Sequence, residues 1–158
     1  MFDETRTYRY TLWRVWDLDK PYLNVIGLNP STADETILDP TCTRCRNLAE
    51  RLGFGGYWMT NIFALRSTDP KILKTARAPI FPQGDNETDP TIWHVAERAG
   101  MVICAWGNYG EYRDRGLTVE YALRQRGVPL HYLGITKRGQ PRHPLYLLND
   151  VLPVPWRP

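Results

Sequence analysis

The sequence predicts an α/β protein, a three-layer sandwich in which helices cover both faces of a central, mostly parallel sheet. Short apolar runs rich in β-branched residues alternate four times with segments of helical character, which is the pattern of βαβ units. Each predicted core strand ends in a polar turn, at the position where strands of such sheets face a ligand. The length of 158 residues suits one hydrophobic core, so we expect a single domain over residues 1–158.

Residues 1–21 are predicted to form the N-terminal edge of the sheet. Residues 7–16 alternate in the manner of a strand and are rich in aromatic side chains. A turn at residues 17–21 follows, so we expect this strand to pair antiparallel with the next one as an edge hairpin. The next strand, residues 23–28, is a short apolar run that stops at Asn29-Pro30, because proline cannot continue a ladder.

Aspartate–proline pairs mark the predicted helix starts, because aspartate caps a helix and proline suits its first position. Asp39-Pro40 begins a helix to about residue 52, Asp69-Pro70 a short helix, and Asp89-Pro90 a helix to about residue 99. Further helices are predicted over residues 113–126 and, as a short terminal helix, over residues 145–152. The remaining strands are expected at residues 57–63, 101–106 and 129–134, and residues 153–158 as an irregular tail.

The composition is that of an ordinary soluble protein, with 42% hydrophobic and 23% charged residues. No apolar run approaches the roughly 20 residues of a membrane-spanning helix. The first residues do not resemble a signal peptide, so we expect a cytoplasmic protein without membrane contact. The net charge of +3 does not by itself indicate nucleic acid as a partner, although arginine clusters would supply a local basic face.

The three cysteines do not form the disulfide framework of a secreted protein. Cys42 and Cys45 make a C-x-x-C pair, but a closed zinc site needs four ligands and no second pair is present. The pair lies inside a predicted helix, whereas a thioredoxin-like redox pair follows a strand. We therefore expect two half-buried thiols, with no metal and no cofactor.

The polar turns that follow the predicted strands are expected to meet at one edge of the sheet. Asn29, Asn61, Gly107-Asn108 and Thr136-Lys137 follow successive strands. One cleft would therefore collect seven polar residues, namely Asn29, Ser31, Asp34, Asn61, Asn108, Lys137 and His143.

Each of these residues also has an ordinary structural explanation. Asp34 is equally suited to cap a helix or a turn, and Asn61 to close a βα turn. His143 suits a surface or packing position, and Lys137 a solvated loop. Trp106, within an apolar run, is expected to contribute to the core.

Three of these turns resemble motifs of the uracil-DNA glycosylase superfamily, which has a doubly wound α/β fold. Gly27-Leu28-Asn29-Pro30 resembles the first motif of the mismatch-specific thymine/uracil branch. The apolar strand that ends in Trp106-Gly107 is similar to that of the family, and His143-Pro144-Leu145 resembles the start of its second motif. Thr60-Asn61 falls where the classical enzymes carry the asparagine that reads the base edge.

The sequence departs from these motifs at several positions. Ser31 replaces the glycine that follows Asn-Pro, and the serine-proline of the second motif is missing. The four cysteines of the iron–sulfur branches are absent, so the resemblance implies no cluster.

More closely, the chain resembles a bacterial and phage family, the domain of unknown function 1643 family. The match covers roughly residues 23–148 and implies no established activity. The runs that carry it are Gly-Leu-Asn-Pro-Ser-Thr-Ala-Asp, Asp-Pro-Thr, Asn-Ile-Phe-Ala-Leu-Arg-Ser-Thr-Asp-Pro and His-Pro-Leu-Tyr-Leu.

The glycosylase resemblance implies a hydrolase that extrudes a base, modified or not, from DNA and cleaves its N-glycosidic bond, as in DNA repair or base modification. It gives Asn29 the role of holding water, Asp34 that of general base, and His143 that of donor to the departing base. The implied substrate-binding residues are Ser31, Asn61, Arg66, Trp106, Asn108 and Lys137. Asn61 would read the base edge and Lys137 would meet phosphate.

Two rival functions use the same cleft. One is a hydrolase that acts on a free nucleoside or nucleotide instead of DNA. The other is a nucleic-acid-binding module without catalysis, which is a serious rival because Asn29 cannot accept a proton. The sequence leaves the oligomeric state open.

Overall fold

The computed structural model describes residues 1–31, 39–82 and 86–158. In these ranges it confirms the α/β class, with a six-stranded sheet in the order β1-β3-β2-β4-β5-β6. The strands are β1 Thr11–Val15, β2 Leu23–Gly27, β3 Gly56–Asn61, β4 Met101–Cys104, β5 Leu130–Tyr132 and β6 Val154–Pro155. The helices are α1 Pro40–Arg51, α2 Ile72–Thr75, α3 Thr88–Arg98 and α4 Arg115–Gln125, with 3-10 turns at Asn108–Asp114 and Pro144–Tyr146.

The sheet is mixed, with parallel pairing in its centre and antiparallel pairing at both edges. Strand β2 is parallel to both β3 and β4, and β4 is parallel to β5. Strand β1 joins β3 antiparallel, and β6 joins β5 antiparallel. The carboxyl ends of β2, β3 and β4 therefore lie together at one edge.

The predicted edge hairpin between β1 and β2 is wrong, because β1 pairs with β3. All five residues of β2 are buried, and a strand so apolar is stabilised by a neighbour on each side. The chain after β1 crosses to β3, where the backbone N–H groups of Trp16 and Asp17 both donate to the carbonyl of Gly55. Gly55 permits this approach, because a Cβ there would lie 2.1 Å from the carbonyl oxygen of Asp17.

The predicted start of α1 is confirmed in detail. Asp39 caps the helix by accepting a 2.7 Å hydrogen bond from the backbone N–H of Cys42, and Pro40 occupies the first helical position. Helix α3 begins differently: it starts at Thr88, so Asp89 lies within its first turn and does not cap it. The carboxylate of Asp89 instead forms an ion pair with the buried guanidinium of Arg115.

The C-terminal segment also departs from the prediction. The helix expected over residues 145–152 is reduced to the 3-10 turn Pro144–Tyr146, after which Leu147 is extended. Arg44 and Arg51 of α1 hold the segment in this form by donating to the carbonyls of Leu147, Asn149 and Val151. The tail at 153–158 is not wholly irregular either, since β6 pairs with β5 there.

The core contains two apolar clusters. One includes Cys42, Cys45, Leu48 and Ala49 of α1, together with residues of β2 and β3. The other includes residues of α3 and α4. None of the helices in the described ranges is long and apolar enough to cross a membrane.

Candidate functional site at the carboxyl ends of the strands

A cavity of about 760 Å³ lies at the carboxyl ends of β2, β3 and β4. Gly27, Met59 and Asn61 of the strands contribute to its floor. Its walls include residues from the segments 28–31 after β2, 39–41 at the start of α1, 67–70, 105–109 and 142–146. Its volume lies within the range of about 300–1,000 Å³ that is usual for small-molecule sites.

The structure brings six of the predicted site residues together around this cavity. They are Asn29, Ser31, Asn61, Trp106, Asn108 and His143. Two others, Arg66 and Lys137, do not line it among the described residues. The predicted base Asp34 lies outside the described residues.

Asn61 is the polar side chain at the floor. It is the last residue of β3, only 3% exposed, and its Nδ2 has no hydrogen-bond partner within the described ranges. Its Oδ1 lies against Gly27, where a Cβ would approach it to 2.8 Å. An unpaired buried amide costs about 1–3 kcal/mol, so this group is suited to a ligand that accepts a hydrogen bond.

Asn29 is held in one orientation by the loop after β3. Its Nδ2 donates to the carbonyl oxygens of Ser67 at 2.9 Å and Pro30 at 3.2 Å, with that of Leu65 at 3.5 Å. Only the NH₂ end of an amide can satisfy carbonyl groups, so the Oδ1 end is left to act as an acceptor. Such an acceptor at the rim of a cavity is suited to orient a water molecule.

Ser31 and Asp39 join the turn after β2 to the start of α1. The Ser31 hydroxyl donates to Oδ2 of Asp39, while Oδ1 accepts from the backbone of Cys42. Burial alone would raise the pKa of Asp39, but the hydrogen bonds from Ser31 and Cys42 and the charge of Arg9 outweigh it and lower the pKa below its ordinary value of 3.8. Asp39 is therefore an ionised carboxylate beside the cavity.

His143 caps the 3-10 turn Pro144–Tyr146. Its Nδ1 accepts from the backbone N–H of Leu145 at 3.3 Å, which fixes the proton of the neutral ring on Nε2. Burial lowers the pKa of His143, although the negative charge of Asp39 opposes that effect. A neutral imidazole with an Nε2–H donor is the form that this geometry favours at pH 7.

Trp106 and Asn108 form a fixed wall. Trp106 is buried and donates from Nε1 to Oε1 of Gln140 at 3.1 Å. Gly110 lets the chain fold closely onto this ring, since a Cβ there would lie 2.1 Å from it. Asn108 accepts from Thr136 at 2.7 Å through Oδ1. Trp106 thus acts as a core residue and as part of the wall.

The two predicted residues that do not line the cavity have other positions. Arg66 donates to the backbone carbonyl of Arg6 at 2.8 Å and to that of Ser31 at 3.4 Å. It therefore stabilises the turn after β2 without lining the cavity. Lys137 is exposed on the loop beyond Thr136. Its predicted phosphate contact remains a prediction.

Several cavity residues were not predicted. Asp39 was interpreted only as a helix cap. The predicted topology could have identified it, because a helix that follows the first core strand begins near the strand ends where Asn29 lies. Arg9, 1% exposed, belongs to a segment whose strand-like alternation gave no sign of a site. Burial lowers its pKa, opposed by the nearby Cys42 and Asp39. Tyr109 and Tyr146 also line the cavity.

The cysteine pair lies outside this chemistry. Cys42 and Cys45 are fully buried, not half-buried as predicted, and burial raises the pKa of Cys42 to about 11. A thiol so protonated is a weak nucleophile and a poor metal ligand. Within the described ranges no cluster of three or more potential metal ligands occurs.

The fold and the cavity define an α/β protein with a cavity lined by apolar, aromatic and a few polar side chains at the carboxyl edge of its parallel strands. The chain belongs to the DUF1643 family, described as a protein of unknown function, whose model matches residues 9–145. No curated protein matches the chain. No solved structure matches it either.

Proposed function

We propose that the cavity binds a nucleobase and that the protein hydrolyses the N-glycosidic bond of that base in DNA. The observation that carries the proposal is the buried amide of Asn61, a residue that lines the cavity and whose Nδ2 has no partner in the described chain. A nucleobase edge offers carbonyl acceptors to such a donor. The proposal includes the three-layer, uracil-DNA glycosylase-like arrangement of the fold, supported by the motifs at Asn29 and His143.

The dimensions and lining of the cavity support a flipped nucleotide. Trp106 and Tyr109 provide aromatic surface, and a volume of about 760 Å³ accommodates a base with its sugar. Tyr146 is 75% exposed at the rim and Leu145 is 40% exposed, which leaves apolar groups in position to meet a duplex that has lost a base from its stack.

The reaction uses groups whose orientation the fold fixes. Asn29 holds the attacking water through Oδ1, and the Nε2–H of His143 donates a hydrogen bond to the departing base. Preorganised donors of this kind stabilise charge that develops in the transition state.

A hydrolase of free nucleosides is the second candidate, because the net charge of +3 gives little long-range attraction for a polyanion. The salt dependence of binding affinity distinguishes a DNA glycosylase from a nucleoside hydrolase. Affinity for DNA should fall steeply as salt rises, whereas affinity for an uncharged nucleoside should change little. A binding module without catalysis would show the salt dependence and no base release.

The test is an abasic-site assay. Oligonucleotides with uracil, thymine mismatches and a panel of modified bases are incubated with the protein and then cleaved with alkali. We expect strand breaks at one class of base, lost in Asn61→Ala and altered in base preference in Asn61→Asp, which replaces a donor by an acceptor. Asn149→Asp, an exposed asparagine outside the cavity, is the matched control. Binding of DNA without breaks on any substrate would contradict the hydrolytic proposal.

A further inference from the structure

We infer that Asp39, the cap of α1, is a catalytic residue that faces the reacting sugar and accepts the proton of the attacking water. The inference rests on the proposed function and names the carboxylate that serves it. From the sequence alone, Asp34 was predicted to have that role. Among the residues that the structure describes, the carboxylate that lines the cavity is Asp39.

The position of the Asp39 carboxylate is fixed from two sides. Ser31 donates to one oxygen, and the backbone of Cys42 donates to the other at 2.7 Å. Ser31 lies two residues after Asn29, so one short turn carries both the amide that orients water and the hydroxyl that holds the carboxylate. In the proposed arrangement, a water molecule in the cavity contacts both Oδ1 of Asn29 and the Asp39 carboxylate, since both residues line it. A carboxylate has about four lone-pair sites, so the hydrogen bonds from Ser31, the Cys42 backbone and the Cys42 thiol leave room for one from that water.

The unpaired amide of Asn61 indicates independently that a ligand occupies this cavity. Asn61 lies at the carboxyl end of β3, whereas Asp39 and Pro40 form the wall at the start of α1. If a base binds to Asn61 at the floor, the attached sugar would point toward the wall formed by Asp39 and Pro40. This places the bond to be broken between the base reader and the carboxylate.

The charges around Asp39 keep it ionised. The charge of Arg9 acts on it, Ser31 and both the backbone and the thiol of Cys42 donate to it, and burial lowers the pKa of the nearby His143. The thiol of Cys42 is protonated and adds no negative charge. The carboxylate also sits at a helix N-terminus, whose dipole favours an anion. An anion here would stabilise the positive charge that develops on the sugar.

The step balances as an ordinary hydrolysis. The bond between C1′ and the base nitrogen breaks, its electron pair leaves with the base, and His143 stabilises that anion by a hydrogen bond. The water oxygen bonds to C1′, and its proton passes to Asp39 and then to solvent. Water that has bonded to an oxocarbenium carbon is strongly acidic, so a carboxylate of low basicity suffices as the acceptor.

The experiment compares single-turnover base release by the full-length wild type, Asp39→Asn and Asp34→Asn. Asparagine is also a good N-cap, so Asp39→Asn removes the charge while it retains the helix start. We expect turnover to fall by about 100-fold or more in Asp39→Asn, with oligonucleotide affinity changed by less than about threefold, and turnover to be retained in Asp34→Asn. An NMR titration of His143 gives a second readout, since loss of the Asp39 charge should lower the pKa of that ring further.

The outcomes are distinguishable. Full turnover in Asp39→Asn, with or without its loss in Asp34→Asn, would overturn the role of Asp39 and leave the proposed function intact. A His143 titration that Asp39→Asn does not move would overturn the placement of the two groups in one site. Absence of base release by the wild type from every oligonucleotide would overturn the hydrolytic function and the role of Asp39 together.

Discussion

At the scale of single residues, the site depends on how two neighbouring strands end. Asn61 lies directly opposite Gly27 in the parallel pairing of β3 with β2, and the glycine leaves the space that its amide occupies. That Asn61 lies with the polar groups at one edge of the sheet was predicted, because parallel strands direct their carboxyl ends there, but its strand was expected to run to residue 63 and ends at Asn61. The lack of a hydrogen-bond partner for its Nδ2 could not be predicted, because it depends on the positions of all the side chains packed around Asn61.

Gly27→Ala tests this pairing. A Cβ at residue 27 would lie 2.8 Å from Oδ1 of Asn61, so the asparagine side chain must turn away. We expect binding of the preferred base to weaken by about 10- to 100-fold, the equivalent of roughly 1–3 kcal/mol for a misplaced buried hydrogen bond. Fluorescence anisotropy with a base-bearing oligonucleotide measures the loss.

The control for Gly27→Ala is the double variant with Asn61→Ala. Removal of the amide also removes the steric conflict, so Gly27→Ala should add little to the loss caused by Asn61→Ala alone. Additive losses in the double variant would show that Gly27 does not act through Asn61.

At the scale of elements, sequence motifs correctly predicted those features that depend only on contacts between residues close in the chain. The Asp39-Pro40 start of α1 is confirmed because a cap needs only the next few residues. Asp89 was predicted to cap a helix, but its carboxylate pairs with Arg115 in another helix. Neighbouring sequence cannot predict an ion pair with a residue so far along the chain. The same reason explains the C-terminal segment, which arginines of α1 hold extended.

The Asp89–Arg115 pair connects α3 and α4 to the end of β3. Arg115 is 4% exposed and donates from Nε to the carbonyl of Ile62 at 2.7 Å, one residue after Asn61. Arg115→Met leaves the carbonyl of Ile62 and the carboxylate of Asp89 without this donor. We expect a loss of about 3–5 kcal/mol in the free energy of unfolding, measured by urea titration.

Arg126→Met is the matched control, because the Arg126–Glu97 pair is solvent-exposed. Its loss should cost less than about 1 kcal/mol, since water screens exposed pairs. Equal losses in the two variants would contradict the structural role of Arg115.

The pH dependence of stability tests the state of Asp39. Because its pKa is lower in the folded protein than in the unfolded chain, its ionisation stabilises the fold above about pH 4 and this contribution disappears as pH falls through the folded pKa. Asparagine does not titrate. We expect wild type to exceed Asp39→Asn in the free energy of unfolding at pH 6–7, with the difference shrinking toward pH 3.

A difference between wild type and Asp39→Asn that is constant from pH 7 to pH 3 would show that the Asp39 carboxyl has an ordinary pKa. Asp19→Asn, on the exposed turn after β1, is the control, and it should leave stability nearly unchanged over this range.

At the scale of the whole molecule, the α/β class and the meeting of strand ends followed from the alternation of strands and helices, whereas the strand order did not. The alternation of residues 7–16 predicts a strand, of which β1 occupies Thr11–Val15. It does not show which neighbour accepts that strand, because this depends on which inner strand needs a second partner. The antiparallel edge position of β1 was predicted, whereas its partner β3 and the pairing of β6 with β5 were not. The cavity itself was foreseeable because it requires only that β2, β3 and β4 run parallel.

The central claim is that Asn61 reads a nucleobase in this cavity. The most direct measurement follows the side-chain amide of Asn61 in ¹H–¹⁵N NMR spectra, assigned by comparison with Asn61→Ala, while a panel of nucleosides is titrated into the full chain. We expect at least one class of base to shift the Asn61 amide signals and to leave those of exposed Asn149 unmoved. Asn61 signals that no base in the panel shifts, or shifts equal at Asn61 and Asn149, would contradict it.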